Sequence, residues 1–318
     1  MKKLQQIQQS IITSKELLRT HFNVKKSFEV AQANIKKEVD NILEMKHKVI
    51  PVIPEIDYKS IIKNDVSFDE IVNIKRRGAL IIRNVFDDQQ ASEWNDEVGE
   101  YILSNDYFTK SVEREGMDQY FSQLKSGAPQ IFGLYWSRPQ MLARQSQSMA
   151  NTKKFLNSMW NVSSPYGDEF DPNNDFIYAD RIRRREPGDE TLGLSPHIDG
   201  GSFERWTDPA FQKVYRSVFN GDLKSYDPWN AAHRTHTKEY KSPAVCSMFR
   251  TFQGWTALTA QGPSDGTLSL IPIANSMSYL LLRALQDDIA PDSLCDATPG
   301  RPLLISPDYH QDLLDGIV

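Results

Sequence analysis

Cysteine is scarce in this chain. Its 318 residues hold two, Cys246 and Cys295, too few for a disulfide framework or a thiolate metal cluster. Long apolar runs are missing too: none approaches the roughly 20 residues that span a bilayer. The polar stretch from Leu4 to Ser10 stands where a signal peptide would carry its apolar core. Positive charge is not in excess, because 37 Lys and Arg face 42 Asp and Glu for a net charge of -5. That balance argues against broad electrostatic capture of nucleic acid or an anionic membrane. No internal repeat or low-complexity tract is present. Together these absences point to a reduced, cytoplasmic protein without nucleic-acid or membrane partners, and they leave its oligomeric state open.

Apolar residues make up 39% of the chain and aromatics 10%, enough to bury a large core. Phe28, Ala31, Ile35, Val39 and Ile42 step by three or four, tracing one stripe on a helix with polar other faces. Pro51 and Pro54 close that segment, so residues 1–50 read as a helical appendage to a main domain over 51–318. Residues 51–75 read as a linking stretch around the turn Asn64-Asp65. The run from Gly78 to Phe86 reads as a short buried strand, and Asp88 to Leu103 as a helix. Residues 104–150 form a helical and irregular insertion, with an aromatic cluster at Phe132, Tyr135 and Trp136. Strand-like runs follow at 176–183, 193–199, 245–258 and 267–273, broken by a second insertion at 206–240. Serial strands without alternating helices predict an antiparallel double-stranded β-helix, the jelly roll of cupins, as a mainly β core.

The sharpest chemical feature is Leu194-Ser195-Pro196-His197-Ile198-Asp199-Gly200-Gly201. Side chains two apart on a strand share a face, so His197 and Asp199 can offer a nitrogen and an oxygen to one ion. A second histidine from a distant strand would complete the facial triad that leaves three positions open on Fe(II). The bare triplet is weak evidence, because 6 His and 26 Asp in 318 residues give about 0.5 such triplets by chance. Context separates the two occurrences. His310-Gln311-Asp312 follows Ser306-Pro307, a helix start, and on a helix positions two apart face different ways.

Gly78 to Phe86, then His197-Ile198-Asp199, then Trp255 to Thr259 leading to Gly266 to Pro272, resemble in order and spacing the phytanoyl-CoA-hydroxylase type of Fe(II)/2-oxoglutarate oxygenase. The whole chain resembles the YbiU-like oxidoreductases, a family on the same double-stranded β-helix. The resemblance implies Fe(II), 2-oxoglutarate and O₂ as cofactor and cosubstrates, a small organic substrate, and His197 and Asp199 as metal ligands. By position, Gln253 and Trp255 resemble the strand that faces the cosubstrate. In such oxygenases a distal histidine and a basic residue lie on late strands. Nothing after Ile271 supplies that pattern, so the expectation is a chain cut before its last strands, or a third ligand from His233, His236 or His310.

Arg181 and Arg183 share a strand face with Ile177 and Ala179. If that face is interior, a buried guanidinium needs an anion, and in an oxygenase this would be a carboxylate of 2-oxoglutarate or of the substrate. If the strand end leaves the barrel, Arg183 to Glu186 is a solvated charge run. His233 and His236, three apart in the second insertion, suit one helical turn or a loop over the site mouth. A cupin-like binding protein without oxygen activation is the alternative to the enzyme.

Overall fold

The computed structural model describes residues 2–107, 130–175, 177, 180–186, 196–198, 208–236, 249–262, 265, 267–293, 295, 303–304 and 307–317. Two long helices open the chain, α1 (Lys2–His21) and α2 (Val24–His47). The Asn23 side chain accepts from the Lys26 amide and starts the second. The apolar stripe read from the sequence is the buried face of α2: Ala31, Ile35, Val39 and Ile42 are each at most 5% exposed. They pack on α10 (Ser276–Arg283) and α11 (Pro307–Leu314) in the largest apolar cluster, with Leu280, Leu281, Leu282 and Leu313. Ile11 and Leu18 of α1 join the same cluster. Lys15 and Arg19 tie α1 down by donating to the carbonyls of Ala290, Leu285 and Gln286 at 2.9–3.0 Å, groups just past the end of α10. Residues 1–50 therefore supply one wall of the main core. No described helix is long and apolar enough to cross a membrane.

The stretch 51–75 is richer than a linker. It holds β1 (Glu55–Asp57), α3 (Tyr58–Lys63) and α4 (Phe68–Arg77). Asn64, expected in a turn, is the left-handed cap of α3. Ser67 and Glu70 cap α4 reciprocally, and Gly78 at φ +69° closes it. This changes the reading of Gly78–Phe86 as a buried strand. The glycine belongs to the helix end, Asn84 turns at φ +61°, and only β2 (Ile81–Arg83) remains, parallel to β1, with Ile81 37% exposed. Helix α5 (Asp88–Ser104) falls where expected, capped by Asp87. Two further helices, α6 (Arg138–Gln145) and α7 (Gln147–Asn157), follow, and α8 (Pro209–Val214) and α9 (Arg216–Phe219) form much of the second insertion.

The other strands are two-residue pairs: β3 (Ile131–Phe132) with β6 (Ile182–Arg183), β4 (Ser163–Ser164) with β5 (Gly167–Asp168), and β7 (His197–Ile198) with β8 (Leu303–Leu304), all antiparallel. Among the described residues these sheets do not join into a closed barrel. Residues 249–258 and 267–273, expected as strand, carry no ladder. An apolar alternating run becomes a strand only when another segment presents free N–H and C=O groups beside it.

Candidate functional site

His197 opens β7, where it stands opposite Leu304, while Ile198 stands opposite Leu303. Two residues after β8, the chain enters α11, whose far face packs into the α2 and α10 core. The expected metal-bearing strand is thus anchored to the helical core through β8. Asp199 lies outside the described residues, as do Tyr178 and Ala179.

The arginine face needs correction. The buried residue of β6 is Ile182, packed with Phe132, Val98, Ile102 and Tyr107, whereas Ile177 is 42% exposed. The apolar face is therefore the one opposite Arg181 and Arg183. Arg181 is exposed. Arg183 is half-buried, and its Nη2 is enclosed with no hydrogen-bond partner. Burial, and then the charge of Arg185, push its pKa below the usual arginine value. The segment leading into β6 is held by α6. Gln140, half of a capping box with Ser137, donates to the Leu134 and Asp180 carbonyls at 2.9 and 3.1 Å, and Arg144 pairs with Asp180 at 3.0 Å. Gln253 and Trp255, expected beside the cosubstrate, are exposed, Trp255 by 53%, on an irregular segment. Three residues on, Leu258 packs against the cluster of Ile182 and Phe132, so that segment and β6 meet at one small core.

The second insertion conceals a carboxylate that sequence reading missed. The Glu169 side chain is fully enclosed. It accepts from the His233 amide at 2.9 Å and from the Thr235 hydroxyl, and lies 3.4 Å from His236 Nε2. Burial raises its pKa, but the bonds from Thr235, His233 and Ser164 and the nearby His236 outweigh burial and hold it below the usual carboxylate range. Burial and then Lys213 lower His233. Tyr166 stacks on both imidazoles, with centroids at 5.6 and 4.8 Å, and receives a bond from Lys213. This arrangement latches the insertion to the β4–β5 hairpin. Glu169 lies more than sixty residues from these partners, so no local spacing announced it.

His310 is wholly buried in α11, 6.1 Å ring to ring from Tyr279. His21 and His47 end α1 and α2 in exposed positions. Among the described residues, no three His, Cys, Asp or Glu side chains converge as a metal site.

A family model described as Gig2-like matches residues 3–316. The chain belongs to the Gig2-like family. The Escherichia coli K12 protein YbiU is 41% identical over 297 residues, covering 93% of this chain and 70% of the relative. Gig2-like crystal structures extend the comparison. One from Salmonella typhimurium LT2, described as "Putative Oxidoreductase", superposes with a TM-score of 0.88 at 40% identity, over 98% of this chain and 75% of that one. That of GlcNAc Inducible Gene 2 from Candida albicans does so at 0.76 and 27% identity, over 97% and 67%. The YbiU-like part of the sequence resemblance is thereby borne out.

Proposed function

We propose that this Gig2-like protein is a non-haem Fe(II)- and 2-oxoglutarate-dependent oxygenase of a small organic substrate, built on a double-stranded β-helix. The observation that carries the reading is the extended, ladder-paired backbone at His197, the geometry in which residues two apart share a face. The oxidoreductase description of the Salmonella relative supports the same class.

The donors fit iron in kind: an imidazole at 197 and a carboxylate at 199 are the hard and borderline ligands that Fe(II) accepts. Iron with 2-oxoglutarate and O₂ would supply the oxidising chemistry that protein side chains lack. The chain's own part is to hold its two donors in register through the β7–β8 pair. The exposed segment with Gln253 and Trp255 and the latched insertion at 208–236 offer surfaces for shaping a substrate mouth. A cupin-like metal-binding protein without oxygenase activity is the second reading, favoured by the lack of three converging ligands among the described residues.

Anaerobic titration with Fe(II) and then 2-oxoglutarate tests this. The parent should develop the weak visible charge-transfer band of the chelate, and His197→Ala should lose it and tight Fe(II) binding while keeping its far-UV spectrum. Equal Fe(II) affinity in both proteins would remove the metal assignment. Binding of iron with no band would favour the second reading.

A further inference from the structure

The neighbouring charges of the β6 region have identifiable partners. Arg184 pairs with Glu186 at 3.0 Å, and Arg144 with Asp180 at the same distance. Arg183 differs, since its Nη2 is enclosed in protein and unbonded. A buried guanidinium N–H without an acceptor is costly to maintain, and a second cation, Arg185, lies close enough to repel it. The backbone fixes this arrangement. Arg183 stands opposite Ile131 in the β3–β6 ladder, and Arg184 donates its amide to the Gln130 carbonyl, so the strand cannot rotate the side chain away. The apolar contacts of Ile182 on the opposite face lock the same register.

We propose that Arg183 is the anchor of a carboxylate-binding subsite. A carboxylate matches the planar fork of a guanidinium, and its single negative charge balances the one unpartnered cation. Two sources share this chemistry, the far carboxylate of 2-oxoglutarate and a carboxylate on the organic substrate. As a subsite for either, the proposal rests on the oxygenase reading, whereas carboxylate binding itself requires no iron.

The test uses the full chain with Mn(II) as a redox-inert stand-in and without metal. Calorimetry follows 2-oxoglutarate, succinate and hexanoate, with inorganic phosphate as a control. Arg183→Met should lower carboxylate affinity about tenfold or more and Arg183→Lys several-fold, because lysine keeps the charge but loses the fork. Arg181→Met, at an exposed position, should bind as the parent does. Dependence on Mn(II) and on Arg183 together identifies the 2-oxoglutarate source, and metal-independent binding lost in Arg183→Met identifies a substrate carboxylate. Without ligand, Arg183→Met should melt no lower than the parent, which a structural cation would not allow. Equal carboxylate affinities in parent and both variants, no carboxylate binding by the parent, or a marked loss of unliganded stability in both variants would overturn the proposal. Loss of Mn(II) binding in His197→Ala is read separately and bears on the iron site alone.

Discussion

His310 is wholly buried, and neither ring nitrogen has a hydrogen-bond partner. It sits where α11 departs from helical geometry, at φ -132° and ψ 29°, beside Tyr279. Tyr279 donates to Asp312 at 3.1 Å, leaving that carboxylate engaged elsewhere. Burial, and then the charge of Arg283, lower the His310 pKa from the usual 6.5 to about 4. The folded state therefore favours the neutral ring. Stability should be full above pH 6.5 and fall as pH drops from there towards 4, since the unfolded chain takes up the proton first. The loss at full protonation is on the order of 3 kcal/mol. Thermal melts of His310→Phe against the parent check this: the variant should show a flatter profile between pH 6.5 and 4. A parent melting temperature that is level across that window would refute it.

At the scale of elements, termini carry more of the specification than strands do. Helix α4 is begun by the Ser67–Glu70 box and ended by Gly78. At Gly78 the positive φ and a close approach act together, because an added Cβ would lie 3.1 Å from the Ala274 Cα. Gly78→Ala should therefore cost about 1–3 kcal/mol, visible as a lower urea midpoint with an unchanged slope. A midpoint equal to the parent's would show that the contact yields freely. The capping pair and the following glycine were legible as letters. Reading Gly78 as the start of a strand assigned it to the wrong neighbour, since Leu80 to Phe86 is the more apolar side.

For the whole molecule, the main core is helical and joins the two ends of the chain. Ile35 from α2, Leu281 from α10 and Leu313 from α11 share one cluster, and α11 follows directly on β8, the partner of the His197 strand. The first fifty residues thus support the candidate site from a distance. Ile35→Ala should remove about 2–5 kcal/mol. Because α2 contains no tryptophan, a detachable appendage would melt without a fluorescence change. The expectation is that tryptophan fluorescence and far-UV circular dichroism shift together to a lower midpoint. Separate transitions would show that α2 melts by itself.

The sequence alone determined the features that depend on nearest neighbours. These are the α2 stripe at three-and-four spacing, the helix after Asp87, the helix start at Ser306-Pro307 and the Gig2-like kinship carried by the whole chain. Local spacing suffices there because a helix makes its hydrogen bonds within itself. Tertiary structure decided which apolar runs found a partner strand, that Ile182 and not Ile177 faces the core, and that Glu169 lies under His233 and His236. It also left one nitrogen of Arg183 enclosed without an acceptor. Each of these depends on segments distant in sequence meeting in space, and pairing, burial and orphaned charge have no meaning until they do.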